Sequence, residues 1–328
     1  MGNEVGKLYE KMISYRIRPK IEESISQWQA GGRPNRNICD QLFILRSIMN
    51  MYRYLGINVI LQFLDLVKAF DKMELKAVMV DLWKSGVKGK IWRNIYQINK
   101  KARLSIKTAF GTTEEFEVGE TVKQGSVLAT TLAALHTDSV SKLFNHTSLN
   151  INFGNLKINN LLFQDDIMRI QLNENDINRA NKIYEVFQKN NRLEYHQQKS
   201  VWMKHKATSE IIKLNNEELK KVDQYKYLGD IITPDNSYDP MIESRKGAVR
   251  GLTAELCSIL SDIKQQNPTS AVVSYYKAII IPKLLLNAET WSNLSQKNVN
   301  DLEVIQNTAI KRLRLPVTTP SSIIRSEL

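Results

Sequence analysis

Residues 159–171, NNLLFQDDIMRIQ, set two adjacent aspartates, Asp165 and Asp166, into a run that is otherwise mostly apolar. Ionised carboxylates in apolar surroundings are costly unless a positive charge meets them. The flanks read as two short strands, KINNLLF and IMRIQL, so the stretch is a hairpin with the aspartates at its tip. Two carboxylates held side by side repel, which raises one pKa unless a cation stands beside them. A hard, oxygen-seeking divalent ion, Mg²⁺ or Mn²⁺, suits such a pair. A third carboxylate at the end of another strand is then expected. Asp65 meets that requirement, because it closes the apolar strand read in INVILQFLDL. Asp71 competes, but its capping-box spacing to Glu74 reads as the start of a helix. Two ions held by such a set would stabilise the attacking and leaving oxygens of an in-line phosphoryl displacement. The plain alternative is that QDD is a polar turn, where Asp is common.

Outward from the hairpin, the order of elements is α+β and then all-α. A basic entry, YRIRPKIEESISQWQ, leads through the loop AGGRPNRN into a helix over 38–55 that stops at Gly56. After the Asp65 strand, an apolar face of Leu75, Val78, Met79, Leu82 and Trp83 predicts a helix ending at Gly86. A hairpin turning at Gly111 follows, then KQG and a helix over about 126–144. DINRANKIYEVFQKN is amphipathic, and short strands run on through YKYLGDII. A domain boundary is expected near Ser237.

The 328 residues carry a formal charge of +12, which favours polyanionic partners. The excess is uneven: residues 76–107 hold nine Lys or Arg against one acid, Asp81. A solvated basic face would account for that run as well as a phosphate-binding one. Cys39 and Cys257 are far apart and form neither a zinc spacing nor a disulfide framework. No apolar stretch approaches the roughly 18 residues of a membrane span. A soluble intracellular protein, nuclear or cytoplasmic, with no membrane partner is expected.

At this point seven stretches, in order, resemble the reverse transcriptases of non-LTR (LINE-type) retrotransposons. GGRPNRNICDQLFILR is similar to a finger segment, LDLVKAFD to the first catalytic motif, and KQGSVL to the motif that packs on the incoming nucleotide. FQDD stands in the place of the family's [YF]xDD turn. QQKSVWM, YKYLGDII and IIIPKLLLNAETW resemble the lysine motif, the primer grip and a thumb stretch. The resemblance implies a right-hand polymerase fold of α+β class: partial fingers over 1–56, a palm over 57–236 and a helical thumb over 237–328. It implies RNA-directed DNA polymerase activity with an RNA template, a DNA primer, deoxynucleoside triphosphates and two Mg²⁺ or Mn²⁺ ions. Asp65, Asp165 and Asp166 would hold metal. Lys199 would neutralise or protonate the leaving pyrophosphate, or else is a solvated lysine.

Phe70 would lie beneath the nucleotide sugar and exclude a 2′-hydroxyl, its alternative being core packing. Gln124 and Gly125 would floor the nucleotide pocket, or form an ordinary turn. Arg33 and Arg36 would meet phosphate, or simply charge a loop. Tyr227, Leu228 and Gly229 would support the primer end, or belong to a core strand. Residues 76–107 would follow template–primer phosphates.

The chain departs from the family where Ala129 and Thr130 stand for Ser-Pro, Arg192 for glycine and Gln164 for alanine. The family's first finger motif is not visible, nor is an endonuclease domain, RNase H domain or zinc knuckle, so a core truncated at its N-terminus is expected. Two rivals stay open: a polymerase-like nucleic-acid-binding protein without turnover, and an intron-maturase-like RNA chaperone.

Overall fold

In the computed structural model, residues 4–100, 103–117, 121–123, 125–205, 210–262 and 274–312 are described. They form two compact units, Met1–Asp223 and Gln224–Leu328.

The first unit is organised on a five-stranded sheet: β1 (Ile60–Leu64), β2 (Leu161–Phe163), β3 (Asp166–Gln171), β4 (Val201–Lys204) and β5 (Lys220–Lys221). Across the sheet the order is β5-β4-β1-β3-β2. β1 is central and fully buried, and it pairs antiparallel with both β3 and β4. Its run of apolar residues reflects cover on both faces. The residues of one parity, Ile60, Leu64, Leu162, Ile167 and Trp202, share a core with α5 (Ala129–Phe144) and α6 (Glu174–Asn191). On that face the buried Arg169 donates to the Asn159 carbonyl at 2.9 Å and to Asn160 Oδ1 at 3.1 Å. Its guanidinium lies 4.3 Å from the Phe144 ring centre. An interior cation is tolerable only with such a set of acceptors.

The longer helices of this unit also include α1 (Glu4–Ser24), α2 (Ile38–Tyr54), α3 (Leu75–Lys84) and α4 (Gly89–Lys100). A second core joins Ile13, Ile17 and Ile21 of α1 to Val78, Met79 and Leu82 of α3 and Leu132 of α5. α2 begins as its sequence predicts, with a capping box between Asn37 and Asp40. Gly56 follows its C-terminus with φ +71°, and the expected hairpin forms, with its turn at Ala109–Phe110 and Gly111 opening the returning strand opposite Thr108.

One expectation is corrected. Asp71 does not cap α3. It belongs to a separate four-residue helix, Ala69–Lys72, and the N-cap of α3 is Glu74, which makes no side-chain capping bond. The Asp71–Glu74 spacing misled because Met73 is extended, φ −70° and ψ 104°, and breaks the two helices apart. Glu74 instead pairs with Arg192.

The second unit contains a hairpin, Tyr225–Tyr227 with Asp230–Ile232, and the helices α7 (Asp239–Asp262) and α8 (Gln296–Arg312). Its core joins Tyr238, Met241, Ile242 and Val249 to Tyr276, Ile280 and Ile305. The division after Asp223 therefore places this hairpin with the helices, whereas the expected boundary near 237 leaves it with the sheet. A buried pair, Arg245 to Asp230 at 2.7 Å, ties it there. Among the described residues no helix is long and apolar enough to cross a membrane.

Candidate active site

The register of the central strands decides which carboxylates meet. Leu64 of β1 lies opposite Ile167 of β3, so Asp65, one residue further, emerges beside Asp166. On the other side of β3, Phe163 lies opposite Asp166, which leaves Gln164 and Asp165 as a two-residue tip. Strand alternation sends Asp65 and Asp166 to the face away from α5 and α6. All three aspartates are half-buried. Burial, then the charges of Asp165 and Asp65, push Asp166 up to about 6. Burial also raises Asp165, against a hydrogen bond from its own backbone and with help from the charge of Asp65.

Asp65 is held through its backbone by the segment that carries Lys199. Its N–H donates to Ser200 Oγ at 3.2 Å and its carbonyl accepts from the His196 N–H at 2.7 Å. Leu66 bridges to Tyr195, and the Val67 N–H donates to the Glu194 carbonyl at 2.8 Å. This seam brings Lys199 Nζ to 4.0 Å from Asp65 Oδ2, with the lysine side chain 63% exposed. Lys199 is thus a cation that the fold sets beside Asp65.

The chemistry of the donors fits a hard divalent cation: three carboxylates on one rim, two of them with raised pKa values. Among the described residues, however, no three His, Cys, Asp or Glu side chains stand together as a set that could hold a metal ion. The aspartates nevertheless stand close enough for the charges of Asp65 and Asp165 to act on Asp166.

The other expected site residues fall into distinct settings. Phe70 lies in the short helix five residues after Asp65. Gln124 lies outside the described residues. Gly125 has φ +75°, and none of the described atoms lies within 4 Å of the place a Cβ would take. Arg33 does not present a free guanidinium: it bonds Glu22 Oε2 at 2.7 Å and 3.0 Å and the Ser26 and Gln29 carbonyls at 2.8 Å and 2.9 Å. Those bonds fold the loop onto the end of α1. Arg36 bonds the Gln27 carbonyl at 2.9 Å and pairs with Asp40 at 3.1 Å. Both arginines therefore hold the loop in this structure.

In the second unit Tyr227 is buried, while Leu228 and Gly229 form a tip with φ +47° and +87°. That is a two-residue turn of the kind that needs left-handed conformations. Asn287 Nδ2 donates to the Leu228 carbonyl at 3.1 Å and anchors it.

Sequence reasoning missed the bracket behind the hairpin tip. Residues 28–30 run beside β2: the Leu162 N–H donates to the Trp28 carbonyl at 3.0 Å, and the Ala30 N–H to the Leu162 carbonyl at 2.9 Å. The signal was the doublet Gly31–Gly32, which allows close backbone approach. A Cβ on Gly31 would lie 2.1 Å from the Gln164 nitrogen, and one on Gly32 2.8 Å from the Thr130 carbonyl oxygen. The basic run is exposed: Lys76, Lys84, Lys88, Lys90, Arg93, Lys100, Arg103 and Lys107 all reach solvent.

Residues 2–232 match the family described as reverse transcriptase (RNA-dependent DNA polymerase). An uncharacterized 149 kDa protein of transposon TX1 from Xenopus laevis is 24% identical over 183 residues, covering 55% of this chain and 14% of that protein. Telomerase from Candida albicans, solved with the TWJ fragment of telomeric RNA, aligns over 96% of this chain and 58% of its own, with TM-score 0.53 and 10% identity. Apo telomerase from Candida tropicalis aligns over 96% and 60%, with TM-score 0.51 and 12% identity. The likeness to the telomerases is one of fold. The chain spans about one seventh of the transposon protein's length.

Proposed function

The chain belongs to the reverse transcriptase (RNA-dependent DNA polymerase) family, and from that premise we propose that it copies an RNA template into DNA, extending a primer 3′ end with deoxynucleotides. The observation that carries this reading is the β1–β3 register, which sets Asp65 beside Asp166 with Asp165 at the adjoining tip. The match to a transposon protein supports placing the chain with retrotransposon polymerases of the non-LTR class. An RNA partner agrees with the telomerase of like fold that was solved with RNA.

In this reading Asp65, Asp165 and Asp166 hold Mg²⁺ or Mn²⁺, two ions in all. The ions supply Lewis acidity at the primer hydroxyl and charge neutralisation at the departing pyrophosphate. The aspartates bring the negative charge that recruits those ions and, being half-buried, hold them at a rim where screening is weak. Lys199, 4.0 Å from Asp65, turns from that carboxylate toward the pyrophosphate and offsets its charge. Phe70, at the turn after Asp65, lies under the sugar and excludes a ribonucleotide. Gln124 and Gly125 floor the nucleotide pocket. Leu228 and Gly229, at a hairpin tip, support the primer end, with Tyr227 as their buried footing. The exposed basic residues of 76–107 follow template–primer phosphates.

Primer extension on an RNA template, with and without Mg²⁺, tests the proposal. Metal-dependent product that is lost in Asp165→Asn is expected. Tight duplex binding without extension in either Mg²⁺ or Mn²⁺ would instead make the chain a polymerase-like binding protein.

A further inference from the structure

The tip of the aspartate hairpin is gripped by a side chain to which the reaction so far assigns nothing. Gln29 is fully buried. Its Oε1 accepts from the backbone N–H of Gln164 at 3.0 Å and of Gly31 at 2.8 Å. Its Nε2 donates to the Gln164 carbonyl at 3.2 Å and, more weakly, to the Ala134 carbonyl at 3.4 Å. One amide therefore takes both backbone groups of a single residue, Gln164. That residue has φ +56°, a left-handed conformation that costs a non-glycine residue free energy.

Gln164 is joined directly to Asp165, and Asp166 follows. The dihedrals at Gln164 set the direction in which the next two side chains leave the backbone. The three carboxylates repel one another, so without a brace the tip would relax toward a conformation that separates them. Gly31 completes the bracket, since the backbone there approaches so closely that a Cβ would strike the Gln164 nitrogen and the Phe163 carbonyl carbon.

We propose that Gln29 is a positioning residue: its amide holds the Gln164 backbone left-handed and so fixes the tip from which Asp165 and Asp166 leave beside Asp65. The proposal rests on the polymerase reading of those aspartates. It assigns Gln29 a role beyond packing, because sites of this kind tolerate misplacement of only about 0.5 Å.

The fold supplies its own comparison. Gln41 is as fully buried as Gln29. Its Nε2 donates to the Trp28 carbonyl at 2.7 Å and the Leu162 carbonyl at 3.0 Å, bracing the same sheet edge without reaching Gln164. Gln29→Met and Gln41→Met each remove buried amide bonds at nearly constant volume. Only the first should free the tip.

The test uses the full chain and two readouts, amide hydrogen exchange over 160–168 and Mn²⁺ binding followed by electron paramagnetic resonance. Gln29→Met should speed exchange at the tip by about tenfold, the equivalent of one to two hydrogen bonds removed. It should weaken Mn²⁺ binding several-fold, while Gln41→Met leaves Mn²⁺ binding at the parental value. Gln29→Asn keeps an uncharged amide one methylene shorter and serves as a second variant if the methionine form does not fold; the same changes are expected of it. Unchanged exchange at the tip, or parental Mn²⁺ binding in the Gln29 variants, would overturn the proposal. Equal losses of Mn²⁺ binding in the Gln29 and Gln41 variants would also overturn it, by making the effect one of general stability. If the parent itself bound no Mn²⁺, the metal reading of the aspartates would fail. The exchange comparison would then decide the bracket alone, with accelerated exchange confined to the tip supporting it.

Discussion

Arg192 closes α6 in a left-handed conformation, φ +52°, and its guanidinium reaches Glu74 Oε1 at 2.5 Å. The position is one at which the resembling family has glycine, and the backbone explains that preference: the Arg192 N–H caps the helix by donating to the Gln188 carbonyl. This chain meets the same geometry with a residue that strains to adopt it.

Two substitutions separate conformation from charge at that site. Arg192→Gly and Arg192→Ala both lose the pair with Glu74. The glycine variant should nevertheless be more stable than the alanine variant, by roughly 1 kcal/mol, because only alanine keeps a Cβ in the left-handed region. Chemical denaturation of both measures the difference. Alanine as the more stable of the two would refute the account.

Gly31 and Gly247 should respond to alanine in opposite ways. Alanine at Gly31 places a Cβ 2.1 Å from the Gln164 nitrogen and should destabilise by roughly 1–3 kcal/mol or more, through forced backbone displacement. Gly247 lies within α7 with nothing within 4 Å of its Cβ position. Alanine there should stabilise its unit by roughly 0.5–1 kcal/mol. Thermal melts of the pair, with metal-dependent extension for Gly31→Ala, check both.

Asp166 predicts a pH dependence whose sign follows from burial. Its pKa is raised to about 6 from an unfolded value of 3.8, so the folded chain binds the proton more tightly. Without divalent metal, its contribution to stability is full below about pH 4, declines as pH rises through about 6, and stays lost above that. Asp166→Asn should remove this decline and raise stability at pH 7 by on the order of 1–3 kcal/mol, while abolishing extension. Melting curves between pH 4 and 8 in a chelator test it; a variant less stable than the parent at pH 7 would contradict the assigned burial cost.

Lys90 and Arg93 lie exposed on the first turns of α4, within the basic run. If they meet phosphate, the double alanine variant should lower the slope of log affinity against log salt for an RNA–DNA duplex by roughly 1.4–1.8, at about 0.7–0.9 for each phosphate no longer neutralised. An unaltered slope assigns these residues to a solvated face.

Phe70 predicts a change in ratio rather than in rate. Phe70→Val should raise ribonucleotide incorporation relative to deoxynucleotide, with a smaller loss in deoxynucleotide use. Loss of both incorporations together, with a lower melting temperature, would mean that the ring only packs; steady-state incorporation of matched nucleotide pairs distinguishes the outcomes.

What was legible in the sequence is what depends on local order. The apolar runs in LLF and before Asp65 mark strands covered on both faces, and the amphipathic face of α6 marks a helix buried on one. A carboxylate pair at a hairpin tip identifies itself by the cost of its charge. The sequence by itself thus determined the elements, their order, and Asp65, Asp165 and Asp166 as candidates for one site. Tertiary structure decided the pairing register that puts Asp65 beside Asp166, the seam that carries Lys199 to Asp65, and the bracket of Gln29 on Gln164. It also moved Asp71 into a separate short helix and tied Arg33 and Arg36 to the carbonyls of their own loop. The reason is physical: Gln29 and Gln164 lie 135 positions apart, and no local preference records which distant carbonyl a buried amide will find. A side chain's charge is written in its own letter, but its partner is chosen only when the chain has packed and every buried donor must be satisfied.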